Sequence, residues 1–387
     1  MSAVRRPGVL YDLVALGMTG YTDAKYDAAF VGADRLRLEP GMLLVSTHRS
    51  DDDVPLLCAR LYWAERVWRR TATHLSFAVR DDLFAPGFFA GYPPGLPTLA
   101  RRLLWPLDVG PVLRSRLACL PIRSATSMNL ADALREAPGL RLGSLPPPLR
   151  DALRARAREL GLPEPALAAD VLRGEYGPVL WRQVTRTELG VPELEQVWAR
   201  RAVEAAGDFR RLVEVLRAPG ALLLFPEGAP SPDGRIGPLR PGLERLARRG
   251  RPRGLQPIAL AYDPLVAGRP RAVVAAGEPI EAPAGERVEE ETLRALRRTT
   301  PLVAGHVVAS LSERLGRAPT LREGLDGAER ALDAARRERR PVDPRLEGPG
   351  LQPAVEVALA RMRALGPGHA AVRRLALTHE SAAELAA

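Results

Sequence analysis

Short apolar runs alternate with stretches of helical period along much of the chain. Each short run is bounded by Gly, Pro or charged residues, a pattern that predicts a buried strand. The predicted strands are Met42–Ser46, Leu75–Val79, Ala118–Ile122, Ala221–Phe225, Pro257–Tyr262 and Arg271–Ala276. Residues 1–40 predict a short helix and a first strand before these. Strands that alternate with helices indicate an α/β fold, with helices on the faces of the sheet.

Two long regions follow a helical pattern without intervening strands, one between Arg123 and Gly220 and one after Ala284. The helices predicted there are Leu149–Leu160, Val191–Ala206, Asp208–Leu216, Gly324–Arg340 and Ala354–Leu365. We therefore predict an α/β domain over residues 1–284 with a helical insert at about 124–219, and a helical, charged C-terminal extension over 285–387. Charge-rich helices usually present a solvated face. The insert could be a lid, a partner surface or an inert addition.

The chain is strongly basic, with a formal net charge of +10 and a pI of about 10.4. This balance favours acidic partners such as anionic lipid headgroups, phosphate-bearing ligands, acidic proteins or nucleic acid. Lys25 is the single lysine, so arginine carries the charge. The same bias, with abundant Ala, Gly and Pro, could reflect a GC-rich genome. Aromatic residues make up only 5% and no nucleic-acid fold signature occurs, which argues against nucleic acid as a partner.

The sequence predicts neither a membrane span nor a secreted protein. No apolar run reaches the length of about 18 residues that a transmembrane helix requires. The N-terminus has Arg5 and Arg6 before an apolar stretch that Asp12 interrupts, and no cleavage site follows, so we expect no signal peptide. Cys58 and Cys119 form no disulfide framework and are predicted to be reduced core residues. An intracellular location is expected.

The strongest candidate chemistry follows the strand at Met42–Ser46. There the chain reads Thr47-His48-Arg49-Ser50-Asp51-Asp52-Asp53 before a helical pattern that includes Leu57, Leu61, Val67 and Trp68. If His48 lies in the loop and Asp53 in the first helical turn, the carboxylate can accept a hydrogen bond from one imidazole nitrogen and leave the other free as a base. Ser50 or Asp51 is predicted to cap that helix, and Asp51 and Asp52 to act as first-turn acids. Such a spacing also arises by chance in many sequences.

A second stretch, Phe225-Pro226-Glu227-Gly228, follows the predicted strand at Ala221–Leu224. In open α/β sheets, ligands bind outside the carboxyl ends of the strands, so the two stretches are expected to share one site. Taken alone, Glu227 is typical of an acid in the turn after a strand. No second cluster of acids completes a coordination shell beside His48 and residues 51–53, so no metal is predicted.

Together these segments resemble the conserved blocks of the glycerolipid acyltransferase family, which includes lysophosphatidic acid and glycerol-3-phosphate acyltransferases. The matching segments, in the family's order, are His48 to Asp53, Leu120-Pro121-Ile122-Arg123, Phe225-Pro226-Glu227-Gly228 and Pro257-Ile258-Ala259-Leu260. The resemblance covers roughly Phe30 to Ile280. Several positions depart from the pattern: Thr47 replaces the usual Asn, Leu117 a Gly, and Ala229 and Pro230 the Thr and Arg that commonly follow the third block.

The resemblance implies a mixed sheet flanked by helices and an O-acyltransferase that acts without an acyl-enzyme. A fatty acyl group would move from acyl-CoA or acyl carrier protein, with no other cofactor, to a hydroxyl of a glycerolipid acceptor, first of all 1-acyl-glycerol-3-phosphate. His48 would be the general base and Asp53 would orient it. Backbone N–H groups after His48 would stabilise the oxyanion. The implied substrate-binding residues are Arg123, Glu227, Gly228, Ser50 and Arg240.

Three further expectations accompany this resemblance. Because Pro230 replaces the usual Arg, a different lysolipid or a non-phosphorylated alcohol remains an alternative acceptor, with Arg123, Arg235 or Arg240 as substitute phosphate ligands. A non-catalytic lipid-binding relative is a second alternative. The protein is expected to bind the cytoplasmic face of a membrane peripherally, and Leu83–Leu104, with its aromatic residues and arginines, could contact the lipid or pack over an acyl pocket.

Overall fold

The computed structural model describes residues 8–64, 74–91, 96–218, 220–281 and 287–383. The chain forms two compact units, one made of residues 1–76 and 213–387 and the other of residues 77–212. We call them unit 1 and unit 2. The division into an α/β domain over residues 1–284 and an extension over 285–387 stays a prediction.

Unit 1 is built on a mixed sheet. Its strands are β1 (Asp27–Val31), β2 (Met42–Ser46), β7 (Gly220–Leu224), β8 (Gly254–Asp263), β9 (Arg271–Ala276) and β10 (Ile280–Glu281). They lie in the order β1-β9-β8-β2-β7, and β10 pairs with β8. The pairs β1/β9, β2/β8 and β2/β7 are parallel, whereas β8/β9 and β8/β10 are antiparallel.

The parallel strands have the apolar sequences that burial on both faces requires. All residues of β2, β7 and β9 are buried, so their runs lack the alternation of a half-exposed strand. The strands predicted from these runs are confirmed, with boundaries shifted by a few residues at most. Because β2, β7 and β8 are parallel, their carboxyl ends lie at the same edge of the sheet.

Helices flank this sheet, and most belong to the C-terminal region. The helices of unit 1 are α1 (Val9–Lys25), α2 (Asp53–Tyr62), α12 (Gly242–Gly250), α13 (Val288–Thr299), α14 (Ala304–Leu315), α15 (Leu321–Arg337), α16 (Leu351–Leu365) and α17 (Ala370–Ala383). α13 and α14 contact β8, and α1 contacts β1. The predicted continuation of α2 through Val67 and Trp68 lies outside the described residues.

The C-terminal helices are not solvated along their length, contrary to the expectation from their charge. Residues 304–312 of α14 are all buried, and α14 packs against α15, α16 and α17. Their apolar side chains form a core that includes Val308, Leu332, Leu359 and Leu375. The charges of α15 lie on one side of a strongly amphipathic helix, so charge content alone concealed the buried side.

Unit 2 is largely helical and has its own core. Its helices are α3 (Phe88–Gly91), α4 (Thr98–Leu104), α5 (Gly110–Arg116), α6 (Leu130–Arg135), α7 (Pro147–Glu159), α8 (Ala168–Val171), α9 (Gly177–Leu180), α10 (Arg186–Leu189) and most of α11 (Glu195–Arg217). The end of β3 (His74–Arg80) pairs in parallel with β4 (Cys119–Ile122), and β5 (Ser127–Asn129) pairs antiparallel with β6 (Gln183–Thr185). Trp198 and Tyr176 are among its largest fully buried side chains.

One helix, α11, replaces the two helices predicted at Val191–Ala206 and Asp208–Leu216. Gly207 costs a helix about 1 kcal/mol relative to alanine. The helix continues through Gly207, and buried ion pairs flank this residue on both sides. Arg201 pairs with Asp81 at 2.6 Å, and Asp208 pairs with Arg123 at 2.8 Å. Tertiary contacts therefore override the local preference. The prediction of a mixed sheet flanked by helices, with a helical insertion and a helical C-terminal region, is confirmed.

Candidate active site

His48 and Asp53 meet at the carboxyl end of β2, as their spacing predicts. The His48 Nδ1 atom lies 2.9 Å from Asp53 Oδ2. Asp53 is the first residue of α2 and is fully buried, while 13% of the His48 side chain is exposed. The carboxylate is therefore shielded from water and the imidazole keeps access to it. Their roles as orienting acid and base stay a prediction.

Further donors converge on the Asp53 carboxylate. The backbone N–H groups of Arg49 and Ser50 donate to Oδ2, the latter at 2.9 Å, and Tyr262 Oη donates to Oδ1 at 2.7 Å. A carboxylate that accepts all of these bonds has no proton to give to His48. We assign the ring hydrogen to Nδ1 for this reason, which leaves the Nε2 lone pair free.

The backbone of His48 is bonded to the loop that follows β7. His48 N–H donates to Glu227 Oε1 at 2.8 Å, and the His48 carbonyl accepts from Ser231 N–H at 2.9 Å. The His48 ring stacks on Phe225 with a centroid distance of 4.5 Å and an interplanar angle of 29°. The first and third sequence blocks thus form a single site at one edge of the sheet.

The Glu227 carboxylate is bonded to the protein backbone in this structure. Its second oxygen, Oε2, accepts from Gly237 N–H at 3.0 Å, so each carboxylate oxygen holds one backbone amide. Burial raises the pKa of the Glu227 carboxyl, and the charge of Arg49 opposes that rise. The Glu227 side chain therefore links the backbone of His48 to the backbone of Gly237. A role toward an acceptor hydroxyl stays a prediction.

The start of α2 differs from the prediction in two respects. Asp52 precedes the helix and makes no side-chain cap, while Ser50 Oγ accepts from Asp52 N–H at 3.3 Å outside the helix, so the predicted capping by Ser50 or Asp51 is wrong. The N–H groups of Arg49 and Ser50 already donate to Asp53. They are therefore not the free oxyanion donors that the sequence suggested.

Asp52 is bound by three side chains, which the prediction of a first-turn acid missed. It accepts from Lys25 Nζ at 2.6 Å, from Tyr26 Oη at 2.5 Å and from Tyr21 Oη at 2.7 Å. The hydrogen bond to Asp52 raises the pKa of Lys25 above its ordinary value, against the effect of partial burial. Lys25, the single lysine of the chain, thus connects α1 to the residue next to Asp53. Its being the one lysine was the feature of the sequence that could have indicated this role.

Tyr262 is the other contributor that sequence reasoning missed. It lies near the end of β8, and its ring packs on Tyr26 with a centroid distance of 5.4 Å. Burial and the Asp53 charge raise the pKa of its hydroxyl well above the ordinary value, so it remains a donor to Asp53. Its signal in the sequence was a hydroxyl at the end of the apolar run Pro257–Tyr262.

The remaining predicted substrate-binding residues lie in two places. In unit 1, Gly228 has φ of +77° and the Arg240 side chain crosses it, because a Cβ at Gly228 would lie 3.1 Å from Arg240 Nε. Arg240 Nε donates to the Glu227 carbonyl at 3.3 Å. In unit 2, Arg123 pairs with Asp208 at 2.8 Å and with Glu204 at 3.4 Å. Both arginines therefore have protein partners, and their roles toward substrate stay predictions.

The segment Leu83–Leu104 is partly buried and partly exposed within unit 2. Phe84 is buried, whereas Leu99 and Leu103 on α4 are 67% and 71% exposed. Tyr92, Pro93 and Pro94 lie outside the described residues. Within the ranges that the structure describes, no helix combines the length and apolar character needed to cross a bilayer.

Two further observations concern a cysteine nucleophile and a metal ion. Burial raises the pKa of the Cys119 thiol to about 12, which keeps it protonated and a poor nucleophile. Among the described residues, no group of three or more His, Cys, Asp or Glu side chains could hold a metal ion.

Comparison with known proteins yields a distant structural similarity. No family model and no curated protein matches the sequence. Among solved structures, this chain is similar to the 1-acyl-sn-glycerophosphate (LPA) acyltransferase PlsC from Thermotoga maritima, with a TM-score of 0.37 and 11% sequence identity. The match covers 74% of this chain and 77% of that chain. A similarity at this level carries no argument about function, which has to be inferred from the site itself.

Proposed function

We propose that this protein is an O-acyltransferase that moves a fatty acyl group from a thioester to a hydroxyl of a glycerolipid. The observation that carries the proposal is the His48–Asp53 pair. Its Nδ1–Oδ2 distance is 2.9 Å, its carboxylate is fully buried, and Nε2 is left free. The proximity of the Phe225-Pro226-Glu227-Gly228 loop to this pair adds support, because the sequence blocks of the family meet in space.

In the proposed reaction His48 Nε2 removes the proton of the acceptor hydroxyl as its oxygen attacks the thioester carbonyl. The tetrahedral intermediate then expels the thiolate of coenzyme A or of acyl carrier protein, which takes the proton from the imidazolium. Asp53 stabilises the imidazolium through Nδ1. Proton transfer by a positioned base contributes roughly 10²- to 10⁴-fold to the rate. No cofactor other than the acyl donor is needed.

The first acceptor to test is 1-acyl-glycerol-3-phosphate, with a lysolipid or alcohol that lacks a free phosphate as the second candidate. A specific observation favours the second candidate. The three arginines available in place of the one missing at Pro230 all have protein partners: Arg123 pairs with Asp208, Arg235 lies 3.8 Å from Glu380, and Arg240 donates to the Glu227 carbonyl. A phosphate group would have to compete with these partners.

Glycerolipid acceptors imply work at a membrane, so we propose peripheral binding at the cytoplasmic face. The exposed Leu99 and Leu103 of α4 support a lipid contact, and Arg102, 58% of whose side chain is exposed, lies between them in sequence. Apolar side chains beside arginines are typical of helices that lie at the interface with anionic lipid.

The proposal is tested by an acyl-transfer assay on purified protein with liposomes. Wild type, His48→Ala and Val203→Ala are each offered glycerol-3-phosphate, lysophosphatidic acid, a panel of lysophospholipids and long-chain alcohols, with acyl-CoA or acyl carrier protein as donor. We expect a lipid product from the wild type, a loss of roughly 10²- to 10⁴-fold in His48→Ala, and unchanged activity in Val203→Ala, since that side chain is 69% exposed.

Each outcome of the assay separates the alternatives. Activity that survives in His48→Ala would remove His48 as the base. Product from phosphate-bearing acceptors alone would exclude the second acceptor candidate. Liposome binding with no turnover of any acceptor, unchanged by His48→Ala, would support a non-catalytic lipid-binding protein instead.

A further inference from the structure

The C-terminal helix α17 contacts the loop that follows the Phe225-Pro226-Glu227-Gly228 block. We call residues 231–237 the support loop. Thr378 Oγ1 of α17 lies 3.0 Å from the Gly234 carbonyl, and Ser381 Oγ accepts from Ile236 N–H at 3.2 Å. Both side chains are buried. The helix therefore bonds to the backbone of the support loop over successive turns.

Arg374 of α17 contacts the residue next to the candidate base. Its Nη2 atom donates to the carbonyl of Arg49, the residue after His48, and to the Ser231 carbonyl at 2.9 Å. Arg49 itself is 4% exposed, and its Nη1 atom donates to the Gly234 carbonyl at 2.6 Å. The Arg374 guanidinium thus donates both to the backbone of the segment after His48 and to the backbone of the support loop.

The contact between helix and loop leaves no room for a side chain at Gly234. This glycine has φ of +92°, and a Cβ there would lie 2.4 Å from Thr378 Oγ1 and 2.6 Å from the Arg374 carbonyl. Real Cβ atoms do not approach other atoms so closely. The loop and the helix backbone are therefore matched in shape as well as in hydrogen bonding.

The support loop also bonds to the backbone of His48, directly and through Glu227. Ser231 N–H donates to the His48 carbonyl at 2.9 Å, and Gly237 N–H donates to Glu227, which accepts from His48 N–H in turn. We propose that α17 is a positioning element for His48 and that Arg374 is its positioning residue. This inference rests on the proposed function for its effect on catalysis, but its effect on the loop can be measured without turnover.

The first pair of variants is Arg374→Met and Arg373→Met. The two arginines are adjacent on α17, and Arg373 is exposed, so it is a matched control. Arg374→Lys, which keeps a cationic donor, serves as the rescue variant. We expect Arg374→Met to lower kcat by about tenfold to a hundredfold with the acceptor KM unchanged, because a small misplacement of a catalytic group has that effect. Arg373→Met should match wild type, and Arg374→Lys should recover part of the loss.

The second pair is Gly234→Ala and Gly268→Ala. Gly268 also has a left-handed backbone, with φ of +76°, but a Cβ there would meet nothing within 4 Å. Both changes carry the strain of a positive φ, and only Gly234→Ala pushes α17 from the loop. We expect Gly234→Ala to reproduce the kcat defect of Arg374→Met and Gly268→Ala to leave kcat unchanged.

The decisive readout is hydrogen exchange at the Ser231 and Gly234 amides together with NMR titration of the His48 ring, assigned by comparison with His48→Ala. We expect exchange about tenfold faster in Arg374→Met than in Arg373→Met and a shifted His48 titration. The inference would be overturned if Arg374→Met had the same amide exchange, His48 titration and kcat as the wild type, even with a lower melting temperature. If wild type transfers no acyl group but exchange still responds to Arg374→Met, the proposed function fails while the positioning of the loop stands.

Discussion

Asp53 accepts hydrogen bonds from a ring, from two backbone amides and from a phenol, so its position is over-determined. A buried carboxylate requires such donors, because desolvation disfavours its charge. These contacts restrict both the tautomer and the orientation of His48. At the residue scale, the base strength that the proposed reaction asks of His48 therefore depends on the groups that hold Asp53.

Tyr262→Phe tests one of these groups. Without this donor the Asp53 carboxylate shifts, and a small misplacement of a catalytic group costs up to about 10²-fold in rate, so we expect kcat to fall about tenfold or more. The acid limb of the pH–rate profile should move to higher pH, because a carboxylate that has lost one donor attracts the imidazolium more strongly. Tyr21→Phe is the control, since Tyr21 bonds to Asp52 instead. An unchanged pH profile in Tyr262→Phe would count against a positioning role.

Glu227→Gln tests whether this carboxylate is a structural acceptor. A glutamine offers one acceptor oxygen to two N–H donors, His48 and Gly237, so one amide faces an NH₂ group. We expect the free energy of unfolding to fall by about 1–3 kcal/mol, as measured by denaturant titration. Glu281→Gln, at a side chain that is 88% exposed, should have no effect. Unchanged stability with a raised acceptor KM would instead make Glu227 a substrate ligand.

At the scale of elements, α14 and α17 are joined by two histidines, the buried His306 and the half-buried His379. The rings of His306 and His379 stack with a centroid distance of 6.0 Å and an angle of 28°. His306 is fully enclosed, and among the described residues no partner meets normal hydrogen-bond geometry at either of its ring nitrogens. Burial lowers the pKa of both rings, and the neighbouring positive charge of Arg340 lowers them further. Both shifts favour the neutral form of the rings at this interface.

This interface predicts acid-sensitive stability. Burial, Arg340 and Arg314 lower the pKa of His379 to about 4, below the ordinary value of about 6.5. Between these values this side chain binds more protons in the unfolded chain than in the folded protein, so it lowers the free energy of unfolding as pH decreases, by at most about 1.4 kcal/mol per pH unit. His379→Phe should flatten this slope in denaturant titrations relative to the wild type. A slope equal to that of the wild type would exclude His379 as its source.

At the scale of the whole molecule, the proposed membrane contact would combine basic charge with exposed leucines. The net charge of +10 favours an anionic surface, and Leu99 and Leu103 offer apolar contacts on one short helix. Charge attraction weakens with salt because the Debye length falls, whereas apolar insertion does not. Vesicle binding should therefore have a salt-sensitive and a salt-resistant part.

The double variant Leu99→Ser/Leu103→Ser should lose the salt-resistant part. Full burial of a leucine contributes about 1.5–3 kcal/mol, so we expect affinity for vesicles of phosphatidylglycerol and phosphatidylcholine to fall about tenfold or more in co-sedimentation. Val203→Ser is the control, because Val203 is a 69% exposed apolar residue on α11 of the same unit. Equal losses in the two proteins would place the lipid contact elsewhere.

Local signals in the sequence determined the strands and the central contact of the site. Runs such as Met42–Ser46 are apolar throughout because both of their faces are buried, so each could be located without the fold. His48 and Asp53 are five residues apart across the start of a helix, so the chain itself brings them within hydrogen-bond distance. The blocks after β2 and β7 could be assigned to one sheet edge because parallel strands share their carboxyl ends.

Contacts between distant residues were decided only by the tertiary structure. Glu227 binds backbone amides, Lys25 and two tyrosines bind Asp52, and Tyr262 binds Asp53 because packing brings these groups together. The charge of the C-terminal helices indicated a solvated face, yet their buried sides form a core and α17 contacts the support loop. Composition and periodicity describe which face of a helix is apolar. They cannot specify which backbone that face meets, since that depends on the packing of the whole unit.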